Sequence, residues 1–297
     1  MAATPPEPRD PEWLAARPTS LTNWAVLSVG GAGSARRADR LVTEEPLEIR
    51  VRHRSANLGS VVTMRTPGSD FELAAGYLLS EGVVSTCEEI SSIRYCTERE
   101  LGEQQRFNVV TVELRSRPEG ALQITRPAVS AACGVCGKAS IAELQTKGFP
   151  PLAAGPVVDG SVISALPESL RARQRLFDAT GGLHAAGIFT PNGAVVAVRE
   201  DIGRHNALDK LLGWCLLNHK IPLADHLVMV SGRASYEMVQ KCLVAGVPML
   251  CAVSAPSSLA ARLAQEFSMT LAGFVRHDGF NIYSGESRVD VRSSTIR

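Results

Sequence analysis

The apolar positions of the first half of the chain follow a strand period and then a helix period. Leu47, Ile49 and Val51 alternate with charged residues, which predicts a half-buried strand. The segment Ser69–Glu72 has the sequence of a capping box, and apolar residues then recur at helical spacing until Gly82. This pattern predicts a helix. Further strands are predicted at 90–95, 107–114 and 121–125.

The second half of the chain alternates between helical and strand patterns. A helix is predicted over 164–177 with Pro167 in its first turn, followed by two strands that flank Pro191-Asn192-Gly193, a strong hairpin signal. Helices are then predicted at 205–218, 236–245 and 258–269, and strands at 226–230, 249–253, near 273 and at 281–283. This order predicts a mixed sheet with helices on both faces, an α/β architecture in a chain that is α+β overall.

Composition divides the chain into four segments. Frequent prolines and little periodic apolarity predict a disordered extension over residues 1–40, and the strand-like run from Trp24 into glycines is interpreted as a flexible loop. Residues 41–125 are expected to form a smaller α+β part. Residues 126–160, rich in Gly, Ala, Ser and Pro, are expected to form a mobile loop, and residues 161–297 a C-terminal domain.

The charge balance excludes several classes of function. The chain has 31 basic and 30 acidic residues, which disfavours a broad surface for nucleic acid or an anionic membrane.

No run approaches the roughly 18 apolar residues that span a bilayer, and the N-terminus does not resemble a signal peptide. We therefore expect a cytoplasmic protein. In that reducing compartment its seven cysteines are expected to be catalytic, metal-binding or buried.

The sharpest chemical feature is the pair of cysteines in Cys133-Gly-Val-Cys136. Such a pair can bind a metal, form a redox disulfide or share a sulfur-relay task. A structural zinc site needs four ligands; the sequence nearby supplies no second pair, and Cys87 and Cys96 are too far apart to form a knuckle, so no zinc is expected. Flanking glycines and Lys138 favour a mobile, activated thiolate. Inert packing is expected of Cys215, Cys242 and Cys251.

Three polar segments lie at predicted ends of strands and helices. They are Thr180–His184, Glu200–Asn206 and Ser231–Ser235. In open α/β sheets such corners gather at one edge, and helix N-termini rich in Gly, Ser and Arg favour anions. A bound phosphate or pyrophosphate is therefore predicted. The alternative is structural: Ser235 caps its helix, Arg204 is a solvated side chain and His184 is a hydrogen-bonded core residue.

Taken together, these motifs resemble the formate dehydrogenase accessory sulfurtransferase family, FdhD/NarQ. The resemblance extends from about residue 40 to the C-terminus and depends on Glu44–Pro46, Leu73–Gly82, Cys133–Gly137, Thr180–His184, Glu200–Lys210 and Ser231–Lys241. It implies a sulfur carrier that receives sulfur from a cysteine desulfurase as a persulfide on Cys133, with Cys136 auxiliary. The sulfur would go to the molybdenum or tungsten of a bis(molybdopterin guanine dinucleotide) cofactor, before its insertion into apo-formate dehydrogenase.

The resemblance also implies a fold and a cofactor site. The C-terminal domain is expected to be a three-layer αβα domain similar to cytidine deaminases, without their zinc signature. Cofactor-binding residues are expected at Phe274, Val275, Arg276, His277, Asp278 and Gly279, and also at Arg204, His205, Ser231, Arg233 and Ser235. Since the cofactor has two guanine dinucleotide arms, a homodimer is expected, each subunit holding one arm.

Two other functions remain open at this stage. One is a thiol-disulfide oxidoreductase that uses Cys133 and Cys136, which an insulin-reduction assay would reveal. The other is a non-catalytic cofactor chaperone, for which a Cys133→Ala variant would still activate the partner enzyme. The sequence does not say which formate dehydrogenase is served, whether the metal is molybdenum or tungsten, or which desulfurase docks.

Overall fold

The computed structural model describes residues 18–31, 33–96, 107–118, 152 and 154–291. The strands are β1 (Leu21–Gly30), β2 (Gly33–Val42), β3 (Glu45–His53), β4 (Ala56–Arg65), β5 (Ile90–Tyr95), β6 (Val109–Leu114), β7 (Val158–Asp159), β8 (His184–Phe189), β9 (Val195–Asp201), β10 (Leu227–Val230), β11 (Met249–Ala252), β12 (Thr270–Arg276), β13 (Gly279–Ser284) and β14 (Val289–Asp290).

The helices are α1 (Asp70–Ser80), α2 (Gly160–Arg171), α3 (Arg175–Thr180), α4 (Arg204–Leu217), α5 (Tyr236–Val244) and α6 (Ser258–Glu266), with 3₁₀ turns at Cys87–Glu89 and Glu286–Arg288. None of these helices combines the length and the apolar character that crossing a membrane requires.

The N-terminal part contains a four-stranded sheet in the order β4-β3-β6-β5. Strand β3 runs antiparallel to β4 and parallel to β6, and Leu47, Ile49 and Val51 are fully buried, as their alternation predicted. The strands predicted at 90–95 and 107–114 are confirmed as β5 and β6. Strand β4 was not predicted, because its sequence mixes glycine and polar residues. The strand predicted at 121–125 lies outside the described residues.

The predicted capping box at the start of α1 is wrong. Ser69 precedes the helix with a φ of 55°, in the left-handed region, and its side chain makes no capping hydrogen bond. The carboxylate of Glu72 instead accepts two hydrogen bonds from Arg199 on β9, at 2.5 and 2.8 Å. The Glu72 carboxylate, which a capping box would use to cap the start of α1, is therefore paired with Arg199 of another part of the chain.

The C-terminal part is a six-stranded mixed sheet between two helical layers, as predicted. The strand order is β13-β12-β11-β10-β8-β9, with β10, β11 and β12 parallel and the other pairs antiparallel. Helix α2 packs on one face, while α4, α5 and α6 pack on the other. The sequence thus predicted the layers of this domain; its likeness to cytidine deaminases stays a prediction.

The helix predicted over 164–177 is two helices. Helix α2 begins at Gly160, where the carboxylate of Asp159 accepts a hydrogen bond from the Ser161 amide at 2.8 Å. Pro167 consequently lies inside the helix and not in its first turn. Helix α3 begins after a break at residues 172–174. The aspartate cap was overlooked, which placed the predicted start too late.

The four-stranded and the six-stranded sheets share one hydrophobic cluster, while a second cluster lies on the α2 face of the six-stranded sheet. Helices α1 and α4 cross at Gly76 and Gly213, where an added Cβ would overlap the carbonyl oxygen of Asp209 or Glu72. Only glycine lets two helix backbones approach this closely. One buried apolar cluster extends from β3 through both helices to β10. The boundary near residue 125 therefore divides the sequence but not the core.

Residues 21–42 form a long β-hairpin, although the sequence predicted a disordered extension up to residue 40. Strands β1 and β2 pair antiparallel over their full length. Most of their side chains are exposed, including Trp24 at 58%. A hairpin without a buried face has no apolar alternation by which to recognise it, and this explains the error. Of the predicted mobile loop 126–160, only β7, the start of α2 and a few neighbouring residues lie within the described residues.

Candidate functional site

The three polar segments flagged in the sequence converge at one edge of the six-stranded sheet. His184 begins β8 and lies opposite Asp201 at the end of β9, while Ala186 lies opposite Val230 at the end of β10. Ser231 then continues from β10; its hydroxyl accepts a hydrogen bond from the backbone of β8 at 2.9 Å. The antiparallel position of β8 thus brings the start of one strand beside the ends of two others.

Arg204 and His184 both lie close to Gly232 at this edge. A Cβ on Gly232 would lie 3.3 Å from His184 Nδ1 and 3.6 Å from Arg204 Cδ. The Nε atom of Arg204 is buried and has no hydrogen-bond partner within the described part of the chain. Buried donors are almost always paired in folded proteins. The Arg204 Nε–H is therefore available to an acceptor other than the described residues.

The electrostatic environment of His184 keeps its ring neutral. Burial lowers the pKa of His184, the positive charges of Arg204 and His205 lower it further, and Asp201 opposes them. A neutral imidazole can donate one hydrogen bond and accept another. The edge therefore combines a permanent cation with an uncharged ring.

His205 and the start of α5 form the second wall of the site. His205 Nε2 lies 2.9 Å from Glu237 Oε2 and 3.4 Å from Ser235 Oγ. The hydrogen bond from His205 lowers the pKa of Glu237, against the opposing effect of burial. Ser235 occupies the N-cap position of α5, yet its side chain caps no backbone amide. The structural alternative of a simple capping serine is therefore not what the structure shows. Arg233, in the same turn, is exposed.

A buried polar network holds the loop that carries Arg204. The carboxylate of Asp201, fully buried, pairs with Lys210 Nζ at 2.7 Å and accepts hydrogen bonds from the amides of Gly203 and Thr66 at 2.9 and 3.1 Å. Asn206 Nδ2 donates to the same carboxylate at 3.2 Å. These contacts fix the start of α4. Sequence reasoning flagged the Asp201 and Asn206 segment but did not identify Thr66 or Lys210 as its supports.

The predicted cofactor segment 274–279 forms the end of the β12–β13 hairpin. Phe274 lies within an irregularity of the β12–β13 pairing and has a φ of 53°. The residue is 41% exposed, and its amide donates to the carbonyl of Ser254 at 3.3 Å. Ser254 follows β11, so this hairpin lies at the same edge as Ser231. Arg276, His277 and Asp278 are exposed. Val275 is fully buried against the α2 side of the core, so its side chain is not available to a ligand.

The two cysteines predicted to carry the chemistry, Cys133 and Cys136, lie outside the described residues. Burial raises the pKa of Cys215 and of Cys251 to about 12, and burial also raises the pKa of Cys242. These three thiols are fully buried, as predicted, and stay protonated near neutral pH. They are therefore unsuited to act as nucleophiles.

Comparison with known proteins places the chain in a family. The FdhD/NarQ family profile matches residues 42–290. A relative from Nocardia farcinica, named sulfur carrier protein FdhD, is 48% identical over 92% of this chain and 96% of its own length. A relative of the same name from Streptomyces coelicolor is 45% identical over 91% of this chain and 95% of its own.

The fold has a match among solved structures. A crystal structure from Desulfotalea psychrophila, described as a formate dehydrogenase accessory protein, superposes with a TM-score of 0.69. The match covers 91% of this chain and 99% of that chain at 23% identity, and so shows a shared fold. On the family profile and the identity to these relatives, the chain belongs to the FdhD/NarQ family.

Proposed function

We propose that this chain is a sulfur carrier that serves a formate dehydrogenase. The relatives that match nearly its whole length are named as sulfur carriers, and the protein that shares its fold is described as a formate dehydrogenase accessory protein. The observation that carries the proposal is the polar sheet edge, where the buried Arg204 Nε has no hydrogen-bond partner among the residues that the structure describes. That edge fits the phosphates of a nucleotide-bearing cofactor.

In this proposal the sulfur travels on Cys133. The Cys133 thiolate attacks the outer sulfur of a persulfide on a cysteine desulfurase, and the desulfurase thiolate leaves, so that the persulfide now belongs to Cys133. Cys136 then attacks the Cys133 sulfur. A Cys133–Cys136 disulfide forms and hydrosulfide leaves. The two cysteine thiols supply the two electrons that reduce the outer sulfur of the persulfide to hydrosulfide. A cellular dithiol reductant restores the pair.

The substrate that receives this sulfur is the molybdenum or tungsten centre of a bis(molybdopterin guanine dinucleotide). The N-terminal amides of α4 and α5, together with Arg204 and Arg233, supply the positive potential that a pyrophosphate requires. His205, Ser231 and Ser235 add polar contacts, and the exposed hairpin at 274–279 lies along the same edge. A cofactor with two nucleotide arms suits two copies of the chain, each holding one arm.

Mass spectrometry tests the sulfur-transfer step. After incubation of the Cys136→Ala variant, in which no second thiol can resolve the persulfide, with a cysteine desulfurase and cysteine, the peptide with Cys133 should gain one sulfur atom. Cys133→Ala should abolish activation of formate dehydrogenase, because the acceptor thiol is gone, and Cys136→Ala should reduce it. A Cys96→Ser variant, at a cysteine outside the pair, is the matched control. Full activation by Cys133→Ala would instead support a cofactor chaperone, and rapid insulin reduction by the unmodified chain would support an oxidoreductase.

Calorimetry with GDP, a fragment of the cofactor, tests the nucleotide site. Arg204→Ala and Arg233→Ala each remove one charge-assisted contact, so binding should weaken by about 1.5–3 kcal/mol. Arg262→Ala, an exposed arginine on α6, is the control and should bind GDP normally. If the GDP affinity is unchanged in both Arg204→Ala and Arg233→Ala, the nucleotide does not bind at this edge of the sheet.

A further inference from the structure

A second group of metal-ligating side chains lies where the Cys87–Glu89 turn meets the end of α4. His219 Nδ1 is 3.1 Å from Glu88 Oε1 and 3.6 Å from Cys87 Sγ. The three donor atoms all lie within 4.8 Å of one another. The thiol and the imidazole come from residues 132 positions apart in the sequence. The folded chain therefore brings together three different ligand types that no sequence motif connects.

Two of the three donor-atom separations are close to those of a tetrahedral zinc site, and the third lies within 4.8 Å. Zinc binds sulfur at about 2.3 Å and imidazole nitrogen or carboxylate oxygen at about 2.0–2.2 Å. At tetrahedral angles these bond lengths separate sulfur from nitrogen by about 3.5 Å and nitrogen from oxygen by about 3.3 Å. The separations measured from His219 Nδ1, 3.6 Å to Cys87 Sγ and 3.1 Å to Glu88 Oε1, are close to these values. An ion would need only small side-chain movements.

The backbone on both sides of the cluster is held by local hydrogen bonds. The Glu89 carboxylate accepts from the amides of Ser85 and Thr86, both at 3.0 Å, which fixes the 3₁₀ turn. His219 has a φ of 54° after the end of α4, and its amide donates to the Leu216 carbonyl at 3.0 Å. The side chains of His219 and Glu88 are 57% and 69% exposed. A metal ion and a water ligand therefore have access.

We propose that Cys87, Glu88 and His219 form a binding site for a divalent transition metal, with zinc the ion that the ligand set fits best. Thiolate, imidazole and carboxylate are the three ligand types found in zinc sites, and three protein ligands leave one position for water. Binding replaces the Cys87 proton with the metal. The ion joins the turn that precedes β5 to the end of α4. It thereby links the N-terminal sheet to a helix of the C-terminal sheet.

This site uses neither of the cysteines proposed for sulfur transfer. Cys87 was set aside in the sequence because its spacing to Cys96 does not form a zinc knuckle, and Cys96 takes no part in the cluster. His219, which supplies the central ligand, carries no local signal in the sequence. The site therefore predicts metal binding by a chain that lacks both Cys133 and Cys136.

The test uses the untagged, metal-free chain with Cys133→Ser and Cys136→Ser. In this background the Cys133 and Cys136 thiols cannot bind the metal, so any thiolate ligand comes from another cysteine. Titration with Co²⁺ should show one equivalent bound, with thiolate-to-cobalt charge-transfer absorption that zinc abolishes by displacement. Zinc should also raise the Tm, because it binds the folded state. Cys87→Ser in this background should remove the charge-transfer band. His219→Asn, whose side chain tolerates the left-handed backbone, should weaken binding at least about tenfold.

Two further variants keep the result decisive. Glu88→Gln alters an exposed ligand, so it should keep the charge-transfer band while lowering the affinity. His226→Asn, a histidine outside the cluster, should bind cobalt normally. Circular dichroism of each metal-free variant verifies that it is folded. Absence of cobalt binding, or a charge-transfer band that persists in Cys87→Ser, would overturn the site.

Discussion

Two contacts join the N-terminal part of the chain to the C-terminal part in different ways. One is the crossing of α1 and α4, and the other is the buried polar network around Asp201, here called the Asp201 corner. At the crossing, Gly76 and Gly213 bring two helix backbones into direct contact inside an apolar cluster. At the corner, one fully buried carboxylate pairs with Lys210 and accepts hydrogen bonds from three other residues. At the crossing, an added Cβ would overlap the backbone of the facing helix. At the corner, removal of the Asp201 charge would leave the buried Lys210 ammonium without a counter-charge. Shape therefore holds the sheets together, while the polar network positions Arg204.

A buried ion pair beside the crossing shows how closely the two means are combined. Lys241 donates to both oxygens of the Asp209 carboxylate at 2.8 and 2.9 Å, and Ser80 donates to the same group at 2.7 Å. Burial acts to lower the pKa of Lys241, but the charges of Asp209, Glu81 and Glu237 and the hydrogen bond to Asp209 together outweigh burial and raise that pKa. Helix α5 is thereby tied to the same α1–α4 contact.

The largest effect is expected from Asp201→Asn. This change leaves Lys210 buried without its counter-charge, and breaking a buried pair in this way costs about 3–5 kcal/mol. Denaturant unfolding measures the loss. Adding Lys210→Met should recover part of the stability, because no uncompensated charge then remains. If Asp201→Asn unfolds at the wild-type denaturant concentration, the corner does not hold the chain together.

An intermediate effect is expected from Gly213→Ala. The new methyl group overlaps the Glu72 carbonyl oxygen, so α1 and α4 must move apart, and overpacking of this kind costs about 1–3 kcal/mol. Gly30→Ala is the matched control. An added Cβ there meets no atom within 4 Å, and its stability should stay within about 0.5 kcal/mol of the wild type. Equal stability of the two variants would show that the helices separate freely.

The smallest effect is a pH dependence that originates at the corner. The pKa of His184 is lowered by burial and by Arg204, so the unfolded chain takes up a proton near pH about 6.5 while the folded His184 stays neutral. The free energy of unfolding should therefore fall as the pH drops below that value. His184→Gln should flatten this slope between pH 7.5 and 5.5, values set about one unit on either side of the ordinary pKa.

His226 provides the comparison for this measurement. Burial and the Lys220 charge lower its pKa in the same direction, so its contribution to the slope has the same sign. His226→Gln should leave the part of the slope that belongs to His184. A slope that is identical in wild type and His184→Gln would mean that the imidazole at the sheet edge titrates normally.

Elements whose buried face repeats along the chain were predictable from the sequence. The alternation around Ile49 predicted β3, and Pro191-Asn192-Gly193 predicted the β8–β9 hairpin. The periodicity near His205 predicted α4 to within a residue. Strand β4, the exposed β1–β2 hairpin and the break between α2 and α3 were missed. In those places no apolar repeat exists, or a single capping aspartate decides where the helix begins.

By itself, the sequence determined the alternation of helices and strands after residue 183, the layers of the larger sheet and the three polar segments that meet at its edge. Only the tertiary structure decided which side chains act together. It paired Asp201 with Thr66, buried Val275, left Arg204 Nε without a partner among the described residues and brought His219 to Cys87. Apolar periodicity indicates that a residue is buried, but it does not identify the residues that pack against it. Partners more than a hundred positions apart leave no local pattern, because their contact exists only once both sheets have packed on α4.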